Sequence, residues 1–210
     1  MILNGQNNMQ TTPLLYGLVL AGGKSVRMGN DKGIMQWHGK EQRYYMADIL
    51  AGCCKDVFIS CRAEQQNEID KEYKTLVDNY EGAGPAVGIL SAFKAKPGAA
   101  WLVVACDLPL LDLPTLQYLV QHRDITRIAT TFKSPHDSLP EPLITIWEPA
   151  SFEILKAHIS DGYSCPRKAL IRNEATVKML TAPNADTLMN ANTPEDAAKV
   201  KDLIKKGETH

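Results

Sequence analysis

No run of apolar residues in this chain approaches the roughly 18 needed to cross a bilayer, and Leu14–Ala21 falls far short. Nor is there an excess of either charge: 23 Lys and Arg stand against 24 Asp and Glu, a net charge of −1. That balance argues against a dedicated nucleic-acid binder or a polybasic membrane surface, so neither is expected as a partner. The five cysteines, Cys53, Cys54, Cys61, Cys106 and Cys165, are odd in number. No CxxC pair or zinc-spaced His cluster accompanies them. They are expected to be buried bystander thiols in a reduced, cytoplasmic compartment. Met1–Pro13 lacks the basic and apolar regions of a secretory signal, and its Asn, Gln and Thr content suggests a disordered extension. No Ser/His/Asp or Cys/His set suggests covalent catalysis. His38, His122, His136, His158 and His210 are expected on the solvated surface.

What is present fits one domain, residues 14–210, with 44% hydrophobic residues and no need of covalent staples. Short apolar runs, Leu15–Leu20, Val57–Cys61, Trp101–Ala105, Arg127–Thr131 and Leu143–Trp147, read as strands. Between and after them Gln42–Cys53, Ala63–Tyr73, Pro85–Lys96, Pro114–His122, Pro149–Ile159 and Pro194–Lys205 read as helices. Strands rich in Val, Ile and Leu without strict alternation are buried on both faces. The expectation is an α/β fold: three layers, a mostly parallel twisted sheet with helices on both faces. Ligands of such sheets bind beyond the carboxyl ends of the strands.

Four segments carry chemistry. After the first strand, Gly22, Gly23 and Gly29 let backbone N–H groups approach an anion, and Arg27 and Lys32 add counter-charge. The glycines alone suit an ordinary turn; with two cations in the same loop, a polyphosphate is the better reading. The run Trp101–Ala105 ends in Cys106-Asp107, which puts a hard oxygen ligand for Mg²⁺ at the sheet rim, unless Asp107 merely caps the turn at Pro109. Val77–Gly88 reads as strand end, glycine-rich loop and helix start. There Asp78 can accept hydrogen bonds from a base or ribose, and Gly84 and Gly88 permit close approach. In Asn190–Asp196 a helix cap accounts for the residues, and Asn192 also offers an amide oxygen to a metal.

Together these segments resemble the molybdenum cofactor guanylyltransferases, within the nucleotidyltransferase superfamily. Leu20–Lys32 matches LAGGxSxRMGxDK at every fixed position, Gly84–Gly88 is similar to GPxxG, Cys106–Pro109 to CDxP, and Asn190–Asp196 to NxNTPxD. The resemblance implies a Rossmann-like nucleotidyltransferase fold that transfers GMP from Mg-GTP to the phosphate of molybdopterin and releases pyrophosphate. It further implies that Leu20, Ala21, Gly22, Gly23 and Gly84 bind the nucleotide. Arg27 and Lys32 would bind the leaving phosphates, Asp78 the nucleoside, and Asp107, with Asn192, the Mg²⁺. Its partners would be GTP, the molybdenum cofactor, and proteins that deliver or accept that cofactor. Ser60-Cys61-Arg62 departs from the Asn often found after the second strand. Glu141, in Pro140–Leu143, resembles part of an acceptor-side element; Arg167 and Lys168 suit either an anionic cofactor or a solvated helix start. The alternative activity is a cytidylyltransferase, or another nucleotidyltransferase acting on molybdopterin or on a sugar or polyol phosphate. Gly22 opposes it, because cytidine-using relatives look more like LAAG. A regulatory module that has lost catalysis would lack Asp107 or Lys32, and both are present.

Overall fold

A computed structural model of the chain describes residues 11–22, 32–82 and 84–207. Its strands are β1 (Leu15–Leu20), β2 (Val57–Cys61), β3 (Thr75–Val77), β4 (Ala100–Ala105), β5 (Ala129–Lys133), β6 (Pro140–Trp147) and β7 (Val177–Leu180). They form one sheet in the order β3-β2-β1-β4-β6-β5-β7. β6 alone runs antiparallel to its neighbours. The helices are α1 (Gln42–Ala51), α2 (Pro85–Ala95), α3 (Leu113–Gln121), α4 (Ser151–Ser160), α5 (Pro166–Arg172) and α6 (Pro194–Gly207).

Alternate residues of the central strands feed two cores. Val19, Leu102, Val104, Ile144 and Ile146 pack against Met46 and Leu50 of α1 and Leu116 and Leu119 of α3. Leu18, Trp101, Val103 and Trp147 face the opposite way, onto Ile89, Leu90 and Phe93 of α2, Leu155 of α4 and Leu170 of α5. Burial on both faces is what made β1 and β4 read as continuous apolar runs, and the expected three-layer fold is the one observed. Among the described residues no helix is long and apolar enough to cross a membrane.

Three expectations need correction. Ala63–Tyr73 is not a helix: only Ala63–Glu68 coils, as a 3-10 helix. The segment has no apolar stripe to bury, and the Asp70 carboxylate takes the Glu72 N–H at 3.0 Å, which favours a turn. β3 and β7, three and four residues long at the two edges of the sheet, were too short to show a period. His158 is not at the surface but 5% exposed, its Nε2 3.0 Å from the Cys165 carbonyl, whereas Cys165 itself is exposed.

A buried ion pair ties the start of β1 to the far end of β6. Arg123 grips Glu148 bidentately at 2.6 and 2.9 Å and also donates to the Pro13 carbonyl at 3.0 Å. The side chains are 10% and 1% exposed. Arg123→Ala is expected to lower unfolding free energy by about 3 kcal/mol, because Glu148 would remain buried and unpaired. Urea denaturation measures this; a loss below about 1 kcal/mol would mean that water reaches Glu148.

Candidate active site

Parallel register brings the carboxyl ends of β1, β2 and β3 to one rim. Leu20 lies beside Ser60, and Cys61 beside Val77. Backbone bonds carry the pairing past the strands: Ala21 N donates to Ser60 O at 3.1 Å, and Asp78 N donates to Cys61 O at 2.9 Å. At this rim Ser60 Oγ donates to Asp78 Oδ1 at 2.6 Å. The loop after Asp78 is held by the buried Ser91 of α2, whose hydroxyl accepts from Asn79 N and Tyr80 N. Asp78 is thereby fixed at both ends.

α2 starts at Gly84, whose φ of 80° suits glycine, with Pro85 in its first turn. Its Gly88 lies directly on the rim. A Cβ there would stand 2.6 Å from Ser60 Oγ, 2.7 Å from Leu20 Cδ2 and 3.4 Å from Asp78 Oδ1. A Cβ on Gly22 would stand 3.1 Å from Asp78 Oδ2. Arg62 Nη1 donates to the Gly22 carbonyl and its Nε pairs with Glu64 at 2.7 Å. Leu20, Gly22, Ser60, Asp78 and Gly88 therefore meet at one place.

Burial raises the Asp78 carboxyl above its ordinary value, against the opposing pull of the Ser60 hydroxyl and the Arg62 charge. Burial and the Asp78 charge push the adjacent Cys61 thiol up to about 11, so it is no nucleophile at neutral pH. Ser60 takes one lone pair of Oδ1 and Oδ2 lies beside Gly22, so this partly desolvated carboxylate retains acceptor capacity on both oxygens and is suited to paired N–H donors.

Across the rim, β4 leaves the sheet beside β1, Ala105 opposite Leu20. The chain runs from β1 to β2 on one side and from β4 past the β6 position to β5 on the other, so the two C-terminal loops flank a topological switch point. Asp107 belongs to the second loop; it is half-buried, with one carboxylate oxygen closed off from solvent. Ala191 N donates to the Asp107 carbonyl at 2.8 Å, which brings the Asn190–Asp196 segment to this loop although β7 lies at the far edge of the sheet. Thr193 and Asp196 cap α6 reciprocally: Asp196 N donates to Thr193 Oγ1 at 3.1 Å, and Asp196 Oδ2 accepts from Thr193 N at 3.0 Å. Asn192 itself is exposed, one residue from the anchor at Ala191.

Gly23 and Arg27 lie outside the described residues. Lys32 opens a short 3-10 helix, Lys32–Ile34, and its side chain is likewise outside the description. At the start of β6, Glu141 pairs with Arg167 Nη2 of α5 at 2.9 Å, while Arg167 Nη1 reaches Asp137 at 3.0 Å. Ser164 O is 3.4 Å from where a Gly84 Cβ would stand, so the Ser164–Lys168 segment borders the glycine loop. Of the two readings of Arg167 and Lys168, a helix start is observed, with Arg167 engaged by two carboxylates. Ser60 and Arg62 were not among the expected site residues. The signal was a polar residue ending an apolar strand, at the rim where ligands bind.

The strand order, the paired loops at the switch point and the two rim carboxylates define an open α/β sheet of the class that holds its ligand at the carboxyl rim. Residues 17–177 match the MobA-like NTP transferase domain, and the chain belongs to that family. A molybdenum cofactor biosynthesis bifunctional protein of Synechocystis sp. is 34% identical over 93% of this chain, which spans 56% of that protein's length. A molybdenum cofactor guanylyltransferase of Pseudomonas fluorescens is 28% identical over 85% of this chain and 89% of its own. Among solved structures, the Archaeoglobus fulgidus molybdopterin-guanine dinucleotide biosynthesis protein A superposes with a TM-score of 0.74 at 23% identity. It covers 91% of this chain and 99% of its own; that likeness concerns the fold.

Proposed function

We propose that the protein transfers GMP from Mg-GTP to the phosphate of molybdopterin and releases pyrophosphate. An acceptor phosphate oxygen forms the new bond to the α-phosphorus of GTP, and the bond from that phosphorus to the oxygen bridging to the β-phosphate breaks. The observation that carries this reading is the convergence of Leu20, Gly22, Ser60, Asp78 and Gly88 beside the Asp107 loop. Guanine presents two adjacent N–H donors on its pairing edge, and Asp78 offers the carboxylate that accepts them. The names of the relatives point the same way.

The donor set suits Mg²⁺. Among the described residues no group of three or more His, Cys, Asp or Glu could hold a metal alone. One carboxylate completed by nucleotide phosphates and water is how Mg²⁺ is commonly bound in phosphoryl-transfer sites. Asp107 would hold the ion, with Asn192 as a second oxygen donor. When bound, the ion neutralises charge on the phosphates. The chain's own part is positioning: Asp78 and the Leu20–Gly22 backbone fix the nucleoside, and Arg27 and Lys32 meet the charge that grows on departing pyrophosphate. The acceptor is already an anion, so no general base is needed.

Lys32→Ala is expected to slow turnover roughly 10²-fold, the cost of one preorganised charge-stabilising group. Apparent GTP affinity should fall much less, because the contact strengthens as pyrophosphate departs. Equal losses in both would make Lys32 a ground-state anchor only. The activity itself is tested by supplying GTP, CTP, ATP and UTP with Mg²⁺ and molybdopterin, and following nucleotide incorporation and pyrophosphate release. GTP is the expected substrate; a wild-type preference for CTP would make the protein a cytidylyltransferase.

A further inference from the structure

Three consecutive carbonyls of the loop after β4 each accept a hydrogen bond from a different part of the chain. Asp107 O accepts from Ala191 N at 2.8 Å. Leu108 O accepts from the Gln42 side-chain amide at 3.3 Å. Pro109 O accepts from His38 Nε2 at 2.7 Å. Gln42 and His38 belong to the segment that follows the Lys32–Ile34 turn. That segment is closed on itself by a bridge between Gln36 and Glu41 and by Gln42 N donating to Met35 O at 2.8 Å, with Gly39 at φ 75° in the bend. Two side chains therefore tie the stretch that carries Lys32 to the loop that carries Asp107.

Gln42 is a poor choice on stability grounds. It is fully buried, and among the described residues its amide oxygen finds no hydrogen-bond partner. A buried acceptor left unsatisfied costs about 1–3 kcal/mol, and a leucine of similar volume would avoid the cost. His38 is fixed independently: its ring stacks on Tyr45 of α1 at 4.0 Å with an 18° tilt. One imperfectly satisfied amide and one pinned imidazole both spend their donors on the backbone beside Asp107.

We infer that His38 and Gln42 are positioning residues that set the Asp107 loop against the stretch that follows Lys32. They act through the backbone on where Asp107 holds the nucleotide-bound metal. This rests on the proposed nucleotidyl transfer. Neither side chain bonds Asp107 itself, only the carbonyls one and two residues on, so the expected effect lies at the low end of the roughly 10–100-fold known for groups bonded directly to a metal ligand.

The test uses the full chain with Mn²⁺ as the probe, followed by electron paramagnetic resonance in the presence of a GTP analogue that cannot be cleaved between the α- and β-phosphates. His38→Phe keeps the stack on Tyr45 and loses the donor; Gln42→Leu keeps the volume and loses the amide. Each is expected to weaken Mn²⁺ binding roughly 10-fold and to raise the Mg²⁺ concentration giving half-maximal turnover by a similar factor. The KM for GTP at saturating Mg²⁺ should change less than 2-fold, and the melting temperature of Gln42→Leu should not fall. His38→Gln, which retains a donor, should recover most of the Mn²⁺ affinity. Unchanged Mn²⁺ binding in both variants, with binding intact in the wild type, overturns the inference alone. A loss of Mn²⁺ binding that tracks a falling melting temperature makes both residues merely structural and also overturns it. A wild type that binds no Mn²⁺ with the nucleotide overturns the transfer reading and this inference with it.

Discussion

Asp107→Ala is expected to reduce Mg²⁺-dependent pyrophosphate release by roughly 10³-fold or more while leaving the fold in place. The scale is that of losing a preorganised electrostatic element aimed at the reacting phosphates. The fold should survive because the loop is held by its backbone, through Ala191, Gln42 and His38, and none of those contacts uses the Asp107 side chain. Asp107 is only half-buried, and its neighbours Leu108 and Leu111, at 3% and 0% exposure, supply the packing. The melting temperature is therefore expected within a few degrees of wild type, a shift corresponding to about 1 kcal/mol. Turnover at saturating Mg²⁺ and a thermal melt on the same sample check both halves. Near-normal activity would remove Asp107 from the metal; a collapse of stability would make its carboxylate part of the scaffold instead.

The difference between what could and could not be read from the sequence follows from where each signal resides. β1, β2 and β4 were legible because burial on both faces forces a continuous apolar run. α3 was legible because Asp112 caps it, accepting from Thr115 N at 2.9 Å, before Pro114. The positions of Gly22, Asp78 and Asp107 at the sheet rim were legible for a related reason: each follows a strand, and strand ends are where this architecture places ligands. β3, β7 and α5 are too short to carry a period, and packing rather than local pattern makes them. The roles of Ser60, His38 and Gln42 depend on contacts between residues far apart in the chain. Ser60 and Asp78 are 18 residues apart, and Gln42 and Leu108 are 66 apart. Register brings them together, and nothing within a few residues of either partner announces it.

Base choice should depend on Asp78 more than on any other described side chain. A site that hydrogen-bonds guanine leaves its own buried polar groups unmatched when cytosine enters, at about 1–3 kcal/mol for each unmatched group. With two acceptor oxygens at stake, wild-type preference for GTP over CTP in kcat/KM is expected at roughly 10²–10⁴-fold, and Asp78→Asn should remove most of it. The same substitution should stabilise the unliganded protein. Burial raises the folded-state pKa of Asp78, so the folded chain holds this proton more tightly than the unfolded chain does. The ionised carboxylate therefore works against folding, and its contribution falls as pH rises from the unfolded value through the raised one. Above that raised value the penalty is fully present, and an uncharged amide avoids it while still accepting from Ser60 Oγ. Gly22→Ala attacks the same contact from the other side: its Cβ would press on Asp78 Oδ2 from 3.1 Å, with Arg62 N 3.7 Å away. The discrimination between GTP and CTP should shrink there as well, without the gain in stability. Competing GTP and CTP incorporation, measured beside a thermal melt of the unliganded variants, separates these outcomes. If Asp78→Asn discriminates as the wild type does, guanine is read elsewhere. If Asp78→Asn melts lower than the wild type, the carboxylate is a structural acceptor for Ser60 rather than a desolvated group held ready for the base.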